Sequence, residues 1–385
     1  MLYILDLEPY KERYTQWWES YIPNKIAEYK INFQVIKGKS ISNTVETGTV
    51  LDAAGTNYYK STQLEQICQM FKNGDIKDKD HFLVCDIWFP GIEMIRYMSD
   101  LYKIKVYIWG VWHAGSITIG DFASVMNPWS KYFEMGFLSI CNGVFVGSQY
   151  SRNSIIERLA ADFFIYEKDL KKFSNKIIAY GMPLDYDYLQ LYARKNLGLA
   201  SNDVLKSEKY NRIVFPHRPD PEKGIDEFLS VIEILSEEPE FDSWTIAFCT
   251  SKEKYQSKDP NINKRLSYLR KRHSNIKVYE NLEKEEYYTL VSDSKIIVST
   301  TLEENFGYCL VEALALGTHP IVPNKYSHPE IINEPKCLYN NREEFIQLIK
   351  EAMINPLSEQ TLKNYAKPFE NVVHEWVGLM LNGLK

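Results

Sequence analysis

The sequence has 385 residues, 45% of them hydrophobic and 25% charged, with 45 Lys and Arg against 51 Asp and Glu. A chain of this length holds two globular cores at ~100–200 residues each, and its composition excludes disordered, collagen-like and disulfide-dense classes. The net charge of −6 argues against a binder that holds nucleic acid by a general basic excess, while leaving room for a local basic groove.

The start, Met1 to Glu8, lacks a basic segment and reads as a first strand rather than a leader. No apolar run reaches the ~18 residues of a membrane span. The six cysteines are far apart, with neither a CxxC pair nor a Cys/His cluster, which fits a reducing compartment. The expected location is the cytoplasm, a host's if the source is viral, and the expected state a monomer or homodimer.

In chain order, short β-rich apolar runs occur at Tyr3 to Leu7, Phe33 to Ile36, Phe82 to Asp86, Lys105 to Trp109, Gly143 to Gly147 and Lys176 to Tyr180, each followed by a helical pattern. Such runs alternating with helices predict a parallel sheet covered on both faces. A polar stretch from Asn196 to Tyr210 reads as a linker. The alternation then restarts at Arg212 to Phe215, Trp244 to Phe248, Ile276 to Tyr279, Lys295 to Ser299 and Thr318 to Val322. The fold class is therefore α/β, with two doubly wound units and ligand sites expected at the carboxyl ends of their strands. Leu357 to Leu384 reads as a helical tail with an apolar stripe of Trp376, Met380 and Leu381.

Two segments carry chemistry. After the run ending at Ser299, a polar loop with Glu304 leads through Gly307 into an apolar helix, Tyr308 to Leu316, that contains Glu312. A helix start at a strand end favours an anion, and the two carboxylates suit neutral hydroxyls. After Phe215 comes Pro-His-Arg218-Pro-Asp-Pro-Glu-Lys223-Gly224, where the guanidinium fork and the ammonium suit a diphosphate.

These segments resemble the GT-B glycosyltransferases, particularly the retaining, GT4-like group that uses nucleotide sugars. The group's E-x7-E motif stands as Glu304-Asn-Phe-Gly-Tyr-Cys-Leu-Val-Glu312, and its Arg-x4-Lys-Gly motif as Arg218 to Gly224. The close resemblance covers residues 212–325. It implies two Rossmann-like domains facing across a cleft: an acceptor-side domain at 1–200, a nucleotide-sugar domain at 201–358, and a helix at 359–385 crossing back.

The resemblance further implies that Arg218 and Lys223 hold the donor diphosphate, that Glu304 contacts the transferred sugar and Glu312 the ribose, and that the Gly307 and Tyr308 amides cradle phosphate. Asn305, Phe306 and Leu282 complete the donor set. His113, in a glycine-punctuated loop, is the candidate beside the reacting carbon and joins Arg218, Lys223 and Glu304 as catalytic. The usual Gly-Gly pair is missing after Glu8, so Glu8, Ser116 and Asp121 are the acceptor-side candidates, with Asp6, Tyr10 and the Asp52 to Thr56 segment nearby. No cofactor is expected besides a UDP- or GDP-type donor. No metal is expected either, since the Asp78/Asp80 and Asp185/Asp187 pairs lack the context of a metal-diphosphate site.

The expected reaction moves a sugar to a hydroxyl with retention. For the acceptor, a modified base in phage DNA stands beside a glycan, a protein or a small molecule, and the basic run Lys264 to His273 with Tyr268 is the candidate nucleic-acid contact. A non-catalytic nucleotide-sugar-binding protein is the competing class.

Overall fold

The computed structural model describes residues 1–10, 15–41, 52–118, 122–163, 167–195 and 209–382. Of the predicted linker, Asn196 to Tyr210, residues 196–208 lie outside these, as does the acceptor-side candidate Asp121, whereas Tyr210 already belongs to a strand. The chain forms two compact units, Met1–Pro183 with Asn371–Lys385, and Leu184–Glu370.

In the first unit, strands β1 (Leu2–Leu5), β2 (Phe33–Ile36), β3 (His81–Val84), β4 (Tyr107–Trp112), β5 (Gly143–Val146) and β6 (Ile177–Ala179) form one parallel sheet in the order β2-β1-β3-β4-β5-β6. Leu2 pairs with Phe33 on one side and His81 on the other. Every residue of β1 and β5 is buried, as expected of strands covered on both faces. One face packs Phe82, Ile108, Val144 and Phe137 into a common core.

The second unit repeats the plan. Strands β7 (Tyr210–Phe215), β8 (Thr245–Cys249), β9 (Ile276–Tyr279), β10 (Ser294–Val298), β11 (His319–Pro323) and β12 (Leu338–Tyr339) form a parallel sheet in the order β12-β11-β10-β7-β8-β9. Ile213 pairs with Ile296 in the middle of this sheet. Phe215, Phe228, Phe248 and Val298 are fully buried in its core.

The predicted continuous tail is interrupted. Helix Glu359–Ala366 gives way to a 3-10 turn at Lys367–Asn371, and a separate helix follows at Val372–Asn382. Pro368 sits at the break and lacks the N–H that a continuing helix needs. Trp376 and Met380 are buried as the stripe requires, whereas Leu381 is half exposed. Trp376 belongs to the first unit, where its ring stacks on Phe145 at 5.0 Å.

Both paired-aspartate motifs have local structural duties. Asp78 accepts from the Lys105 amide at 2.9 Å, Asp80 from the Lys77 amide at 2.7 Å, and Asp185 from the Tyr188 amide at 3.0 Å. Among the described residues no group of three or more His, Cys, Asp or Glu could hold a metal, and no helix is long and apolar enough to cross a membrane.

Candidate functional site

In the second sheet β8 and β9 lie to one side of β7, and β11 and β12 to the far side of β10. The carboxyl ends of β7 and β10 therefore flank a topological switch point, where connections leave in opposite directions and open a crevice. Arg218 and Lys223 follow β7, and Glu304 and Gly307 follow β10, so the fold brings both predicted segments to this crevice.

Side chains stitch the two loops together. Thr300 Oγ1 donates toward the carbonyls of Lys223 at 3.0 Å and Gly224 at 2.8 Å, and the Leu302 amide donates to the Glu222 carbonyl at 3.1 Å. Gly224 has φ +63°, and a Cβ there would lie 1.9 Å from the Thr300 carbonyl oxygen. Both the backbone conformation and the close approach thus require glycine. His217 reaches Ser299 Oγ through Nε2 at 2.8 Å. Burial, aided by the Lys223 charge, pushes its pKa well below the usual histidine range, which keeps the imidazole neutral.

The charges are unevenly committed. Arg218 is held on its own loop by Asp220, 3.3 Å from Nε, and Glu222, 3.1 Å from Nη2. Lys223 forms no ion pair with a described residue, yet its charge acts on His217, His328 and the Cys309 thiol. Burial raises the Cys309 pKa, Glu304 and Glu312 raise it further, and Lys223 opposes them. The acidic pair and Lys223 are therefore close enough to act on one thiol.

Glu304 Oε1 accepts from the Gly307 amide at 3.0 Å, so this amide caps a carboxylate of its own loop. Gly307 has φ +80° and opens the buried helix Tyr308–Ala315. Glu312 is 4% exposed; its Oε1 accepts from Tyr288 Oη at 2.9 Å and lies 3.6 Å from Lys284 Nζ. Both partners come from helix Lys284–Ser292, which begins just after Leu282. Leu282 is half-buried and tied through its amide to the Thr250 carbonyl at 3.1 Å. Asn305 and Tyr308 are half-buried, and Phe306 is buried edge-on against Tyr308 and Phe369.

The remaining candidates belong to the first unit. His113, half-buried after β4, bonds through Nε2 to the Cys85 carbonyl at 2.7 Å, and its ring lies 5.0 Å from Trp18. Ser116 is buried and donates to Glu134 through both its amide and its hydroxyl, each at 2.7 Å. Trp88 Nε1 adds a third bond to that buried carboxylate at 3.0 Å. Glu8 is buried and accepts from the Tyr10 hydroxyl. Sequence reasoning missed Thr300 and Glu134. A hydroxyl run directly after β10 signals the former, while nothing local to Glu134 distinguishes it.

Residues 200–369 match the family model of glycosyl transferases group 1. Across 204 residues the chain is 25% identical to tRNA-queuosine alpha-mannosyltransferase of Drosophila melanogaster, a match covering 51% of this chain and about half the relative's length, 51%. Among solved structures, alpha,alpha-trehalose 6-phosphate synthase from Burkholderia multivorans superposes with a TM-score of 0.64 at 10% identity, over 99% of this chain and 98% of that one. The catalytic domain of starch synthase IV from Arabidopsis thaliana, bound to ADP and acarbose, gives 0.62 at 11% identity, over 100% and 98%. The two six-stranded parallel units thus have the GT-B fold, and the residues that match the family model all lie in the second of them.

Proposed function

We propose that this protein transfers a sugar from a nucleoside-diphosphate donor of UDP or GDP type to a hydroxyl, with retention and with no cofactor besides the donor. The observation that carries this reading is the convergence of Arg218, Lys223, Glu304 and the Tyr308–Ala315 helix start on the β7/β10 crevice. Negative charge builds on the diphosphate as the sugar–oxygen bond breaks, and fixed cations and helix amides stabilise it more than they stabilise the ground state. Lys223 serves as a point charge and Arg218 as a fork.

Diphosphate at the helix start competes with Glu304 for the Gly307 amide. Released from that bond, the Glu304 carboxylate is available to hydroxyls of the transferred sugar, while Glu312, braced by Tyr288 and Lys284, accepts from the ribose. Asn305, Tyr308 and Leu282 complete the donor site, and His113 is the first unit's candidate catalytic side chain.

For the acceptor, the reading is a hydroxyl on a modified base of nucleic acid, in DNA or in tRNA like that named for the mannosyltransferase relative. Helix Pro260–Arg272 supports it: Lys264, Arg270, Lys271 and Arg272 are exposed, and Tyr268 is exposed beside Arg272. That combination suits phosphate contact and base stacking. Glu replacements at these four cations should abolish salt-sensitive binding to a duplex or tRNA probe; unchanged binding would redirect the search to glycan, protein or small-molecule acceptors.

The central test is a thermal-shift screen of UDP, GDP and their sugars, followed by donor hydrolysis, because a bound donor raises stability by mass action. The expected outcome is a shift with one nucleotide and slow sugar release that Glu304→Ala removes. A shift without turnover would instead identify a non-catalytic binding protein.

A further inference from the structure

One face of the first unit presents rings to water. Helix Glu93–Tyr102 joins β3 to β4 and helix Asn127–Ile140 joins β4 to β5, and these three strands are neighbours in one parallel sheet. Right-handed crossovers therefore lay the two helices side by side on the same face. Arg96 Nη2 ties them, donating to the Ile140 carbonyl at 3.2 Å, while Ile95 and Phe137 turn inward to the core.

Their outward ridges are apolar. The first consists of Met94, Tyr97 and Leu101, and the second of Val125, Trp129 and Tyr132, continued by Gly136 and Ser139, all of them exposed. The second ridge advances by four, three, four and three residues, which is the seam of one helix packed along another. It holds no charged residue, although the outward face of a surface helix is ordinarily its charged one.

Exposed apolar side chains scattered singly are normal, but here seven of the 18 large ones among the described residues lie between 94 and 132. Tyr97, Tyr102, Trp129 and Tyr132 are 65%, 51%, 59% and 63% exposed. At ~150–250 Å² per ring, these four leave about 350–600 Å² in water. Met94, Leu101 and Val125 bring the patch to the order of 800 Å², the share that each partner gives to a standard interface.

Charge and shape select the occupant. Glu93 and Asp100 are exposed beside the first ridge, and Lys131 lies 5.6 Å from the Tyr132 ring. The carboxylates repel nucleic-acid phosphates and anionic lipid, whereas a rim of both signs around an apolar centre suits a protein face. Along the second ridge bulky Val125 and Trp129 come first, and small Gly136 and Ser139 last. A Cβ at Gly136 would meet nothing within 4 Å, so the surface there is an open notch. An inverted copy of the same ridge offers a notch to the bulk and bulk to the notch at once, which is the isologous contact of a two-fold axis.

We propose that this face is an interface with a second copy of the chain. Helix Asn127–Ile140 packs antiparallel on its counterpart about an axis beside Tyr132, and each Trp129 fills the notch at the other copy's Gly136. The inference is independent of the transfer reading above, because none of these residues belongs to the donor site.

Sedimentation equilibrium on the full chain tests it over about 0.1–100 µM, since interfaces of this size dissociate in the micromolar range or below. The native chain should run at twice the mass of one chain. Trp129→Glu and Gly136→Lys each act twice across a two-fold contact, and each should weaken association on the order of a hundredfold. Lysine is a better helix former than glycine, so dissociation by Gly136→Lys does not reflect a damaged fold. Mixed in equal amounts the two variants should recover the dimer, because one contact of the mixed pair is native and the other sets Glu against Lys. Ile354→Glu, at a site 87% exposed in the second unit, should stay dimeric. A monomeric native chain overturns the proposal, as does a dimer that either ridge variant keeps, a failure to recover on mixing, or dissociation by Ile354→Glu.

Discussion

Asp6 shows how a single residue can be held at a cost to the fold. Burial raises its carboxyl from the ordinary value of 3.8 to about 7, against the lowering pull of the Tyr59 bond and the Lys37 charge. The folded chain therefore keeps this proton to about pH 7, whereas the unfolded chain releases it near pH 4. Between those values the folded state binds more protons, so the stabilising contribution is whole below the unfolded value and is lost as pH rises through the folded one. Asp6→Asn, which cannot ionise, should leave stability unchanged at acid pH and raise it at pH 8. The ceiling is about 4 kcal/mol, the equivalent of roughly three pKa units. Denaturant melts at the two pH values check this, and a variant equally stable with the native chain at pH 8 would show that the carboxylate carries no strain. The opposite economy governs Lys223, whose ammonium is left unpaired among the described residues and so can meet a phosphate at little cost. Lys223→Ala should lower turnover by on the order of 10²-fold, the loss expected for one preorganised group, with single-turnover donor hydrolysis as the readout.

At the scale of elements, the Pro221–Lys223 turn and the loop after β10 behave as one part because Gly224 lets them touch. Gly224→Ala forces a Cβ against the Thr300 carbonyl and strains a left-handed residue, for a stability loss on the order of 1–3 kcal/mol. Because the displaced turn carries Lys223, calorimetry should also record at least tenfold weaker binding of the nucleoside diphosphate; an unchanged affinity would mean that the two loops bind independently. Eleven of the twelve strands in the two sheets were legible in the sequence because parallel, doubly covered strands must be continuous apolar runs bounded by polar turns. The edge strand Leu338–Tyr339 was not, since two residues form no pattern. The β7/β10 crevice was legible for a related reason: each of its charged pairs lies within a short contiguous segment, Arg218 to Lys223 and Glu304 to Glu312. The polar cluster at the carboxyl ends of β1 and β3 was only partly so. Glu8 could be singled out, but Lys60 and Asp86 are 26 residues apart, and their pairing follows from the parallel order of the strands.

For the molecule as a whole, the decisive feature is that the chain leaves its first unit at Pro183 and re-enters it at Asn371. The final helix completes a core begun by the first strands, so local propensity alone does not account for its place. Trp376 is fully buried, stacked on Phe145 and edge-on to Trp18 at 6.1 Å. Trp376→Ala removes a large side chain from close packing that relaxes only in part, at a cost of about 3–5 kcal/mol. All tryptophans except Trp244 lie in the first unit, so indole fluorescence reports mainly on that unit. The variant should therefore show a lowered fluorescence-detected unfolding midpoint, while calorimetry below that midpoint finds nucleoside diphosphate binding unchanged, because every residue of the β7/β10 crevice comes from the second unit. If the variant loses nucleotide binding while still folded, the donor site depends on the first unit's core, and the assignment of donor recognition to the second unit alone fails.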